Sequence, residues 1–197
     1  MKRRNQTMLV LLIAVFALPP LLSWYAFNYT DLGKQRSTGE HGTLIAPPRP
    51  LPAWDLLEQG GTTTPLHGKW TLVYPLNGKC REACLQNLYR MRQLRLATGK
   101  YADRVQRAVL VVNRDRNAVT VEQLQDYPGQ LTLFPENMDG DVLRSLFELS
   151  AGDRPFAEDR LYLVDPLGNL MMSYARTADP KGIIKDLTRL LKYSRTG

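Results

Sequence analysis

Trp70 to Cys84 reads WTLVYPLNGKCREAC. Its first half, Trp70 to Leu76, is a short apolar run rich in β-forming residues and bounded by Gly68 and Gly78. That is the pattern of a strand buried on both faces. The second half carries the chain's two cysteines, Cys80 and Cys84, separated by three residues and flanked by Lys79 and Arg81. In the segment CLQNLYRMRQLRLATGK, Leu85, Leu88, Met91, Leu94 and Leu96 then recur at helical spacing. Gly99 suits the position just past the helix end.

Working outward, the alternation continues. Val105–Asn113, VQRAVLVVN, is a second buried strand, and TVEQLQDY a short helix that Thr120 can cap. Gln130–Phe134 is a third strand. MDGDVLRSLFELS is helical, with Val142, Leu143, Leu146 and Leu149 on one side. RLYLVDPLGNLMMSYA holds two β-like runs around Asp165-Pro166-Leu167-Gly168, where Pro at the second and Gly at the fourth position fit a hairpin turn. DPKGIIKDLTRLLKY ends the chain as an amphipathic helix. Asp179 is its cap, Pro180 its first residue, and Ile183, Ile184, Leu187, Leu190 and Leu191 its apolar stripe. Upstream, AWDLLEQGGTTTPLHGK offers a short strand, a turn at Gly60-Gly61 and a second extended piece. The order β–α–β–α–β–α–β–β–α predicts an α/β layer fold over residues 53–197, with a mixed sheet because the late hairpin adds antiparallel strands.

The first residues differ in kind. MKRRNQT is basic, and the next twenty or so residues, MLVLLIAVFALPPLLSWYAF, carry no charge. Such a stretch is long enough to span a bilayer as a helix, with the basic end in the cytoplasm and Trp24 and Tyr25 at the far interface. Residues 1–27 thus read as a basic end and transmembrane anchor. LLSWYAFNY is a poor small-x-small cleavage site, although Pro19 and Pro20 leave a cleaved signal peptide as the alternative. Both readings send the rest of the chain across a membrane, most simply the bacterial inner membrane into the periplasm, where disulfides persist. Residues 28–52 read as a polar, Pro-rich spacer. The formal net charge is +7, of which Lys2, Arg3 and Arg4 supply three. The remainder is mild and scattered, with no basic run interleaved with aromatics, which argues against a nucleic-acid partner.

Three chemistries compete for the cysteines. A position at a helix start beyond the carboxyl end of a strand favours thiolate, as do Lys79 and Arg81, with Glu82 opposing. Cys80 is therefore the expected low-pKa thiol. A disulfide staple gains little from so small a loop. A metal clamp needs soft ions such as Cu(I) or Zn and further ligands. His41 falls in the expected spacer and His67 at the far end of the strand. Met138, Met171 and Met172 read first as core. Asp115, Asp126 and Asp165 read as turn or surface residues. A Cys nucleophile lacks a placed His, and there is no phosphate-binding or dinucleotide motif.

LHGKWTLVYPLNGKCREAC, VQRAVLVVN and LYLVDPLGNLMMSYA together resemble the Sco/SenC family over about Pro52 to Tyr193. The resemblance implies a thioredoxin-like fold behind a membrane anchor, a role in cytochrome c oxidase assembly, and partners among oxidase subunits or other copper-site assembly proteins. It places the family's copper-binding cysteines on Cys80 and Cys84. Here Arg81 and Leu85 stand where the family usually has Pro. The position of its copper-binding histidine falls near Ala157 in RPFAEDRLYLVDP, and no histidine follows His67. The expectation is a dithiol/disulfide factor in which Cys80 attacks and Cys84 resolves. A Cu(I) chaperone using both thiolates plus another ligand, and a non-catalytic assembly scaffold, are the alternatives.

Overall fold

The computed structural model describes residues 41–51, 57–58, 66–135 and 138–194, together with 8, 12–13, 15–22 and 24–25. The chain divides into two units, Met1–Gly39 and Glu40–Gly197. In the first, residues 15–22 are helical. Much of the expected anchor lies outside the described residues, and among those described no helix is long and apolar enough to cross a membrane.

Among the described residues, the second unit is built on one seven-stranded sheet. Its elements in chain order are β1 (Thr43–Pro50), β2 (Leu57–Glu58), β3 (Trp70–Leu76), α1 (Glu82–Ala97), a 3-10 turn (Gly99–Arg104), β4 (Val105–Val111), α2 (Val121–Gln125), β5 (Gln130–Phe134), α3 (Gly140–Phe147), β6 (Leu161–Val164), β7 (Asn169–Tyr174) and α4 (Pro180–Tyr193). The strand order is β1-β7-β6-β3-β4-β5-β2. β3, β4 and β5 are parallel, while β6 runs antiparallel to β3, β7 to β6, β1 to β7 and β2 to β5. The sheet is mixed, as the late hairpin requires.

Strand periodicity sorts the core into two layers. Trp70, Leu72, Tyr74 and Leu76 point to one face of β3, where they pack with Leu88, Met91 and Leu94 of α1 and Ile183, Leu187 and Leu191 of α4. Val73 points to the other, with Ala108, Leu110, Leu133, Leu143 and Phe147, the last two from α3. β3 is buried along its whole length. The expected caps form: Thr120 and Gln123 make a reciprocal capping box, and Asp179 accepts from the Lys181 N–H. The hairpin turn closes with the Gly168 N–H on the Asp165 carbonyl at 3.0 Å.

Three expectations are corrected. The second half of the expected spacer is edge strand β1: Thr43 pairs with Ser173 and Pro50 with Asn169. Proline is tolerated because an edge strand pairs on one side only and the register breaks between Leu44 and Arg49. Ile45 and Leu51 are buried in the second core layer, which holds the strand down. Leu96 is exposed, and Asn87 takes a place in α1's buried stripe beside Cys84. On α3 the buried pair is Leu143 and Phe147, while Val142 faces out and Leu149 lies beyond the helix end.

Candidate functional site at the start of a helix

β3 ends at Leu76, and the chain turns through Gly78, whose φ of 104° is open to glycine at little cost. Cys80 is pinned in this loop from both sides. Its N–H donates to the Ala118 carbonyl (2.7 Å), and its own carbonyl accepts from Gln123 Nε2 (3.0 Å). Arg81 is the N-cap of α1 and offers no side-chain cap, so Cys84 falls in the first helical turn, among N–H groups without intrahelical partners. The two Cα atoms are 5.1 Å apart, and the sulfurs form a disulfide. Cys80 is 7 % exposed and Cys84 2 %. The sequence places both residues correctly, one in the loop and one in the helix, which is what lets an i, i+4 pair bridge.

Lys79 bears less on the sulfurs than expected. Its ammonium lies 3.3 Å from an Asp115 carboxylate oxygen and donates to the Asn117 carbonyl. Asp115 is held below the usual carboxylate range by the Asn117 N–H first and by Lys79 second. Asp165 likewise serves its turn, accepting from the Leu167 and Asn169 N–H groups.

One turn along α1 from Cys84, sequence reading missed a polar cluster. Tyr74 Oη donates to Asp159 Oδ1 (2.7 Å), Asn87 Nδ2 donates to the Asp159 carbonyl (3.2 Å), and Arg176 lies 3.7 Å from the Asp159 carboxylate. Burial, then the Asp159 carboxylate, pushes the Tyr74 phenol well above its ordinary value, so it stays neutral and donates. Asp159 holds a left-handed φ of 49°. It is this residue, two beyond Ala157, that the segment before β6 turns toward α1. The available signals were a tyrosine within an otherwise apolar strand and an asparagine within an apolar helical stripe.

His67 lies against Gly168 in the β6–β7 turn, where a Cβ on residue 168 would collide with its ring. It is therefore at the opposite end of β3 from Cys80, as expected. His41 is not free in a spacer: its N–H and ring reach the carboxylate of Asp186 on α4, at 2.8 and 3.2 Å. Met171 and Met172 are on β7, at the face covered by α4. Among the described residues, no group of three or more His, Cys, Asp and Glu could hold a metal ion. Reduced, the pair offers two soft thiolates, a partial donor set for Cu(I).

A parallel β3–β4–β5 core, an antiparallel hairpin and a disulfide between β3 and α1 define a thioredoxin-like protein. The chain belongs to the family described as transmembrane-like, thioredoxin-like, C-terminal domain, whose model matches residues 70–194. No curated protein matches it in sequence. Among solved structures, the fold is similar to that of copper-bound yeast Sco1 (21 % identity, 73 % of this chain and 96 % of that one, TM-score 0.55). It is similar to copper-bound ScoI of Bradyrhizobium japonicum (22 %, 69 % and 96 %, 0.52). It is also similar to BsSco, described as a Sco-family cytochrome c oxidase assembly protein with a disulfide switch (15 %, 75 % and 96 %, 0.53). At these identities the likeness establishes the fold.

Proposed function

We propose that this chain is a membrane-anchored, periplasmic Sco-type factor of cytochrome c oxidase biogenesis that exchanges dithiol and disulfide through Cys80 and Cys84. The observation that carries the reading is the disulfide itself, set between a pinned loop and the first turn of a helix on a fold shared with Sco proteins. The anchor is the uncharged segment after Lys2, Arg3 and Arg4. In the reducing direction, the Cys80 thiolate attacks a partner disulfide. One partner sulfur leaves as thiolate, and a mixed disulfide forms. Cys84, deprotonated, then attacks Cys80 Sγ, which closes the intramolecular bond and releases the second partner thiolate. The partner gains two electrons and the protein loses two. Cys80 is the more exposed of the pair, so it is the sulfur that a partner disulfide can reach first.

Cys84→Ser should trap a mixed disulfide between Cys80 and an oxidase subunit or copper-site assembly protein, visible as a thiol-reducible adduct. Full oxidase assembly in a Cys80→Ser/Cys84→Ser strain would overturn the redox reading and leave a scaffold. A second reading, Cu(I) carriage, draws on the copper bound to the yeast and Bradyrhizobium proteins and on the two soft thiolates here. It requires that the reduced protein retain copper stoichiometrically at micromolar supply, with the signal lost in either single Ser variant.

A further inference from the structure

α4 separates its charges by face. Lys181, Lys185, Arg189 and Lys192 are all exposed and follow one another at helical spacing, a row about 16 Å long at 1.5 Å per residue. The helix's only acid, Asp186, is 4 % exposed and engaged by His41 and by Tyr174 Oη (3.4 Å). The outward face of α4 is therefore cationic along its length. Beside it lies an open recess of about 380 Å³ lined mainly by Leu44, Trp70, Met171, Leu190 and Tyr193, with Arg189 and the His41-bonded Asp186 also on its wall. Tyr193 is 72 % exposed and Leu44 also faces outward. A cationic row flanked by an apolar recess and an exposed amphipathic ring matches the layered chemistry of a bilayer surface, phosphate outside and acyl chain beneath.

The chain path adds a second argument. His41 packs so closely over Gly182 of α4 that a Cβ there would overlap its ring. The polypeptide therefore enters the domain on this helix. The uncharged segment expected to enter the membrane ends at residue 27, with thirteen residues between it and His41. Fully extended, thirteen residues span at most about 45 Å, so this face belongs to the part of the domain that is covalently nearest to that segment.

We propose that the exposed face of α4, with the recess beside it, docks the domain on an anionic phospholipid bilayer. The lysines and arginine contact lipid phosphates, and Tyr193 and the recess take the apolar layer below.

The test uses the full chain with its disulfide intact, carrying an environment-sensitive fluorophore on Thr188→Cys within this face. A control label sits on Asp141→Cys of α3, in the opposite layer. On phosphatidylglycerol-rich vesicles the Thr188→Cys label should shift to the blue and be quenched by doxyl-labelled lipid. On phosphatidylcholine vesicles, and for the control label, it should not. High salt should reverse the effect, and each Lys or Arg changed to Gln should weaken docking about fivefold. A label that stays in water on anionic vesicles would overturn the proposal. So would shielding that is equal on neutral vesicles and indifferent to salt, or shielding without vesicles that grows with protein concentration, which would assign the face to a second copy. Flotation with vesicles of either composition reports the anchor separately, so failure of the anchor and failure of docking give different results.

Discussion

Replacing Tyr74 and Asp159 singly and together tests whether the cluster beside Cys84 is one interacting unit. Tyr74→Phe removes a hydrogen bond to a carboxylate. Such bonds contribute about 1.5–3 kcal/mol, and the low end applies because the Asp159 side chain is 28 % exposed and keeps Arg176 as a partner. The expected loss is about 1.5 kcal/mol. Asp159→Ala leaves the buried Tyr74 hydroxyl without its acceptor, about 2 kcal/mol. It also places alanine at a φ of 49°, a conformation that costs about 1 kcal/mol more. The single loss is then about 3 kcal/mol. In the double variant no hydroxyl is stranded, so the total should be about 2 kcal/mol, well short of additive. Guanidinium unfolding of the oxidised protein, with the Cys80–Cys84 bond confirmed before each titration, measures all four corners of the cycle. Additivity to within about 0.5 kcal/mol would refute the argument that Tyr74 and Asp159 act through each other.

Other outcomes follow from the same geometry. Asp153 and Arg160 form a largely buried ion pair at 2.7 Å; burial raises the Asp153 pKa, but the Leu149 N–H and Arg160 outweigh it and hold the group below the ordinary carboxylate range. Its contribution is therefore complete above pH ~4 and lost as pH falls through the lower folded value. Arg160→Ala should cost about 3 kcal/mol near neutrality and less in acid, measured by thermal unfolding across pH. Reducing the disulfide should lower stability by no more than about 2 kcal/mol, because the closed loop spans only four residues of separation; a larger loss in matched denaturation curves would reinstate the staple. Leu187→Ala, at a fully buried position under β3, should cost about 3–4 kcal/mol by the same measurement.

The short-range features were legible in the sequence because each depends on neighbours in the chain. The run Trp70–Leu76, the loop and helix that hold Cys80 and Cys84, the Thr120 and Asp179 caps and the Asp165–Gly168 turn all follow from local spacing and turn chemistry. They were enough to order the elements and to bring the two cysteines together, because the bridge spans one helical turn. Tertiary structure decided everything that needed distant segments to meet. It turned Thr43–Pro50 into an edge strand, since the β7 edge and two buried side chains outweighed the strand-breaking prolines. It brought Asp159 to Tyr74 and Asn87, residues 85 and 72 positions away in the chain. It also buried Asp186 beneath His41, leaving α4 a face of uncompensated positive charge. In the sequence that same helix shows only a carboxylate among its lysines, and burial alone removes it from the surface.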